Sequence, residues 1–334
     1  MRHLLLSIFT LLLLVACKDE PPATTTTEEK QDQSPVKVPA FSKDSAYQFV
    51  AQQVAFGPRV PGTDGHKATR EWLVQKLKAY GAVVNEQSFR AETATLGSVR
   101  AANIIASYNP TYARRVVLAA HWDTRFAADE DADGSDRPHD GADDGGSGVG
   151  VLLEIARLLN ENPISIGVDI ILFDAEDQGT SAAGNESWCL GSQYWGQNPH
   201  VKSYRAEYGI LLDMVGAKGA VFRKEQLNGI FYPAKVSNIQ KVYNKVWALA
   251  KGMNKSAYFL DMYTGPVTDD HFFVNLYTDI PMIDIIYKSI ENQNGFGSHW
   301  HTHEDNMDII DPNTLGAVGQ VVTAFVYNSS KAPL

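Results

Sequence analysis

The chain has 334 residues, 44% of them hydrophobic, with 29 basic and 39 acidic side chains and a formal charge of -10. That length allows one large domain or two ordinary ones, and the apolar fraction is enough for a true core. The acidic balance argues against a nucleic-acid partner, which needs a basic face.

Arg2 and His3 precede the apolar run LLLSIFTLLLLVA and then Cys17. A basic start, a short apolar segment and small residues before a cleavage point read as a signal peptide over 1–17, too short for a comfortable transmembrane helix. LVAC resembles the bacterial lipobox. It implies a lipidated Cys17 at the mature N-terminus and an exported protein anchored to the envelope, facing periplasm or exterior. Membrane contact is expected only through that anchor, because no second apolar stretch is long enough to span. Residues 18–40 are rich in Thr, Pro, Glu and Lys and nearly free of large apolar side chains. Such a segment cannot offset its ordering entropy by burial, so it reads as a flexible tether. The only other cysteine is Cys189, so a modified Cys17 leaves no intramolecular disulfide.

Residues 41–334 show no second linker and no internal repeat. SKDSAYQFVAQQVAF carries a Ser42 cap and helical spacing, and GHKATREWLVQKLKAYG is a second helix stopping at Gly81. ANIIASY, RVVLAAHW, VDIILFDA, GILLDMV and PMIDIIY read as buried strands. SGVGVLLEIARLL, SNIQKVYNKVWALA and NTLGAVGQVVTAFVY read as helices. Alternation of helices with nearly continuous apolar strands predicts an α/β fold, a mostly parallel mixed sheet flanked by helices on both faces.

Functional groups in such sheets gather beyond the carboxyl ends of the strands. RVVLAA leads to His121 and Asp123, VDIILF to Asp174, Glu176 and Asp177, GILL to Asp213, and PMI to Asp284 and on toward a histidine cluster. His121 and Asp123, two apart on a strand, point the same way; the pair is either a structural hydrogen bond or the outer support of a metal site. Asp143 and Asp144 lie in a Gly-rich turn opening a helix, as cap or as hard ligand. Two adjacent acids, Glu176 and Asp177, repel each other unless a cation sits nearby. Asp144, Asp177 and one histidine of SHWHTHEDN would complete a zinc site with an open position, but spacing does not choose among His299, His301 and His303. Asp129, Asp131, Asp133, Gly134 and Asp140 nearly fit a calcium loop. The flanks are not two helices and the last position is Asp, so a solvated acidic loop at the site's mouth is the expectation.

The ordered set His121–Asp123, GADD, FDAED, LLDMVGA, TDDH and WHT resembles the M28 family of zinc exopeptidases, and within that clan the glutaminyl cyclases, over essentially the whole domain from Phe41. The resemblance implies a zinc-exopeptidase-like fold and one zinc on Asp144, Asp177 and His301. It implies Glu176 as the proton-transferring acid/base, supported by Asp213 and Asp269, with Phe296 and Trp300 lining the pocket. It also implies a cis peptide after Asp144 and leaves His299 and His303 as solvent-exposed loop residues. The implied substrates are peptides and proteins with N-terminal glutamine, closed to pyroglutamate with release of ammonia. The alternative is an M28 aminopeptidase with a second metal on His121 and Asp213; acid at Asp269 and indole at Trp300 favour the cyclase. A non-catalytic binding lipoprotein would have lost Glu176 or a ligand, and none is lost. The chain departs from animal cyclases in carrying Asp at 177, in lacking a cysteine pair near the first motif, and in offering only Trp188, after TSAAGNES, for a pocket tryptophan.

Overall fold

The computed structural model describes residues 36–227, 231–292 and 294–332. The expected signal peptide and most of the tether lie outside the described residues, and 36–40 have no regular structure. In chain order the elements are α1 (Lys43–Val54), α2 (Asp64–Ala79), β1 (Val83–Thr93), β2 (Gly97–Tyr108), β3 (Arg115–His121), α3 (Gly146–Glu161), β4 (Gly167–Phe173), α4 (Leu190–Gln197), β5 (Gly209–Asp213), β6 (Phe222–Glu225), α5 (Val236–Gly252), β7 (Phe259–Thr264), α6 (Asp270–Tyr277), β8 (Met282–Ile286) and α7 (Pro312–Ser329). Ser42 caps α1 by accepting the Ser45 N–H, and Thr63 caps α2 by accepting that of His66.

The main sheet has the order β1-β2-β4-β3-β5-β8. β4, β3, β5 and β8 are parallel, while β1 and β2 join antiparallel at one edge. This is the mostly parallel mixed sheet that the strand–helix alternation predicts. β1 is absent from the sequence reading because VVNEQSFRAET is largely polar; it is half-exposed and its register comes from pairing along β2. The short parallel pair β6–β7 forms a second sheet.

The central strands are apolar on both sides because each side is covered. Ile104, Leu118, Ile170, Ile210 and Ile283 pack with residues of α1, α2, α3, α5 and α7. Ile105, Val117, Ile171, Leu211 and Met282 pack with Trp195 of α4 and Val274 of α6. The period of two along a strand sends neighbours to opposite layers. Each such fully buried side chain contributes roughly 1.5–3 kcal/mol. Among the described residues, no helix is long and apolar enough to cross a membrane.

Candidate active site

The four parallel strands end at one edge of the sheet, and the polar side chains that follow them converge there. His121 closes β3 and Asp213 closes β5. Past β4 the chain turns sharply: Ala175 takes φ 56°, in the left-handed region, while Asp174 accepts the N–H groups of Ala102 and Ala175 and pairs with His66 Nε2 at 2.9 Å. Asp123 accepts the Glu176 and Asp177 N–H groups and the Gln178 side-chain amide. The pair His121–Asp123 therefore sits together, Nδ1 to Oδ1 3.7 Å, and Asp123 also braces the turn that splays Glu176 and Asp177.

Asp144 is placed by the Gly-rich turn before α3. Gly145 has φ 75°, and a Cβ there would lie 2.8 Å from His121 Cε1 and 3.0 Å from Asp123 O; only glycine fits the angle and the space. Asp305 accepts the Asp143 and Asp144 N–H groups, and the fully buried Arg59 donates to the carbonyls of Asp140 and Gly141. Neither of these two supports is apparent in the sequence, because both lie far from the turn along the chain.

Asp144, Asp177 and His301, all buried, each offer a donor atom, and those atoms lie within 4.8 Å of one another. His301 Nε2 is 3.0 Å from Asp177 Oδ1 and 3.6 Å from Asp144 Oδ2. Burial works against a charged His301, yet Asp177, Asp129 and Asp144 push it up to about 9, so the imidazole stands where a cation is wanted. Asp177 Oδ2 is buried with no hydrogen-bond partner among the described residues. Two carboxylates, one imidazole and an unsatisfied oxygen fit a metal ion. A second set, His121, Asp144 and Asp213, shares Asp144: His121 Nε2 is 2.9 Å from Asp144 Oδ1 and 3.2 Å from Asp213 Oδ1. Burial pushes Asp213 up to about 7, with Asp144 and Asp269 adding to it and His121 opposing.

Glu176, Cys189 and Asp269 also converge within 4.8 Å. The Cys189 thiol lies 3.2 Å from Glu176 Oε1. Burial raises the Glu176 carboxyl well above the carboxylate range, with Asp177, Asp269 and Asp270 adding to the effect against His121. Asp269 caps α6 by accepting the Asp270 N–H, and its Oδ2 is buried without a partner among the described residues. A cavity of about 440 Å³ joins the two groups; Asp144, Glu176, Asp177, Asp213, Asp269, Phe296, Trp300 and His301 all line it. Phe296 stacks on Trp300 at 4.6 Å and Trp300 on His301 at 3.6 Å.

Trp188, Ile286 and Lys288 line the same cavity. Trp188 reaches it because Gly179 has no side chain: a Cβ there would sit 2.3 Å from the indole. Two expectations fail. His299 is not a solvent-exposed residue: it is buried, with Nε2 2.9 Å from Asp143 Oδ2, because that carboxylate has to be satisfied beneath the Asp144 turn. His303 is half-exposed but tied to Asp131 at 2.5 Å. The peptide bond after Asp144 is not cis; there are no cis bonds among the described residues, and the positive φ of Gly145 makes the turn.

Residues 103–326 match peptidase family M28. The glutaminyl cyclase of Porphyromonas gingivalis is 49% identical, aligned over 86% of this chain and 99% of its own, with a TM-score of 0.81. A leucine aminopeptidase precursor from Bacteroides thetaiotaomicron is 48% identical over 88% of this chain and 99% of its own, TM-score 0.81. The glutaminyl-peptide cyclotransferase of Bothrops jararaca is 28% identical over 294 residues, 80% of this chain and 76% of its own length.

Proposed function

The chain belongs to peptidase family M28, and from that premise we propose that it is a glutaminyl cyclase, closing the N-terminal glutamine of peptides and proteins to pyroglutamate with release of ammonia. The observation that carries this reading is the carboxyl pair in the cavity, Glu176 beside the buried Asp269. A proton must leave the α-amine and reach the amide nitrogen, and a carboxyl of raised affinity between those points suits the transfer.

In this reading Asp144, Asp177 and His301 hold one zinc ion, their N and O donors suiting that metal. A zinc ion held by these residues would supply Lewis-acid chemistry toward the side-chain amide oxygen of the glutamine. Glu176 takes one proton from the α-amine as its nitrogen bonds to the side-chain carbonyl carbon. It gives that proton to the amide nitrogen as the carbon–nitrogen bond breaks, so ammonia leaves and the carboxyl is restored. Cys189 holds Glu176 Oε1, and the neighbouring Asp269 raises the affinity of Glu176 for a proton. Phe296, Trp300 and Trp188 pack against the apolar part of the substrate.

The aminopeptidase reading is favoured by the likeness to the leucine aminopeptidase precursor and by the second donor set His121, Asp144 and Asp213. One assay separates the two. The soluble domain is incubated with a Gln-initiated and a Leu-initiated peptide, and the products are identified by mass. Pyroglutamyl product from the first and no free leucine from the second is expected. Free leucine without pyroglutamate would replace the cyclase with the two-metal peptidase.

A further inference from the structure

We propose that the segment Arg125–Asp131, whose Asp129 and Asp131 begin the stretch 129–140 that nearly fits a calcium loop, is a clamp that fixes His301 as a metal ligand; this rests on the reading of His301 given above. His301 has φ 57°, in the left-handed region that a residue with a Cβ enters only at a cost of order 1 kcal/mol. The surroundings must hold it there, and the segment does so from both sides. The Glu130 N–H donates to His301 O at 3.1 Å. Two residues on, Asp131 accepts the His303 N–H at 3.0 Å and lies 2.5 Å from His303 Nδ1.

A carboxylate also stands behind the ring. Asp129 Oδ1 lies 3.5 Å from His301 Nδ1, the nitrogen opposite the one facing Asp144 and Asp177. A ligating imidazole is commonly oriented by a carboxylate on its other nitrogen. Asp129 is in turn gripped by Arg125, Nε to Oδ1 2.7 Å and Nη2 to Oδ2 2.5 Å. The same guanidinium donates through Nη1 to the carbonyls of Asp177 and Gly179. It is buried and stacked over the Trp188 ring at 4.9 Å. One rigid cation thus connects the carboxylate behind His301 to the backbone of the ligand Asp177. The carboxylates of Asp129 and Asp131 are spent on Arg125, His301 and His303. Among the described residues, no three His, Cys, Asp or Glu side chains of Asp129–Asp140 converge on one point. Arg125 and Asp129 are positioning residues.

The test uses the soluble domain, stripped of metal and reloaded. Zinc affinity is measured by competition with a chromophoric chelator, and the cobalt-substituted protein gives a visible spectrum that reports ligand geometry. Asp129→Asn is expected to weaken zinc binding by roughly 10–100-fold, the range seen when a ligand's orienting partner is lost, and to change the cobalt spectrum. Asp129→Glu, which keeps the charge, should recover most of the affinity. Thermal unfolding of the metal-free proteins separates this from misfolding: Asp129→Asn should melt close to the wild type. Wild-type affinity and spectrum in Asp129→Asn would overturn the clamp while leaving the metal reading intact. A wild type that binds no zinc would remove both. Calcium that raises the wild-type melting temperature, with the gain lost in Asp129→Asn, would also overturn the clamp and make the segment a calcium loop.

Discussion

Asp269 shows how much one side chain carries. It caps α6 through Oδ1, leaves Oδ2 buried without a partner among the described residues, and converges with Glu176 and Cys189. Two carboxyls this close titrate as a unit, so one proton can be shared between them. Asp269→Asn keeps the cap geometry and removes the charge. We expect it to retain metal and lose roughly 10²-fold in kcat, the range of acid–base contributions. Unchanged turnover in a metal-loaded Asp269→Asn protein would remove Asp269 from the proton path. His299 makes the complementary point. It lies two residues from His301 and looks interchangeable with it in SHWHTHEDN. Yet it faces Asp143, supporting the turn below, while His301 faces the cavity.

At the scale of elements, α4 and α6 cover the face of the sheet opposite α3, and their packing has a titratable weak point. The Trp195 indole, fully buried on that face, donates to His200 Nδ1 at 3.1 Å. A protonated His200 cannot accept this bond, and burial lowers its pKa, with Asp169 opposing and Arg115 adding. The sign follows from the two states. Above the unfolded value of about 6.5 both are neutral and stability is at its full value. Below it the unfolded chain takes up a proton that the folded one refuses, so stability falls as pH drops toward the folded value. The slope from one group is at most about 1.4 kcal/mol per pH unit. Urea unfolding of the metal-free protein between pH 7.5 and pH 5 should show a decline that is shallower in His200→Gln. Parallel curves for the two proteins would assign the acid sensitivity to other groups.

For the whole molecule, we propose that the folded unit is tethered to the bacterial envelope. The support is LVAC before Cys17 and the polar stretch that follows, which can hold a soluble active site away from a lipid surface. Labelled fatty acid should enter the wild type and not Cys17→Ser in cells. Equal labelling of both would exclude Cys17 as the anchor.

By itself the sequence determined the layers and the edge. Nearly continuous apolar strands and capped helices specify an α/β sheet covered on both faces, and acids after RVVLAA, VDIILF and GILL mark where its chemistry gathers. Those signals are local, so they survive without coordinates. The family resemblance selected His301 from three equivalent-looking histidines; spacing could not, because a loop side chain's direction depends on contacts from distant segments. Tertiary structure alone decided those contacts: Arg59 and Asp305 under the Asp144 turn, Gly179 admitting Trp188, Cys189 against Glu176, and Arg125–Asp131 around His301. It also gave β1 its place, since a polar edge strand has no pattern of its own and is ordered by the neighbour it pairs with. The contacts of Arg59, Asp305 and Arg125–Asp131 join residues far apart in the chain, and no local propensity encodes such a meeting.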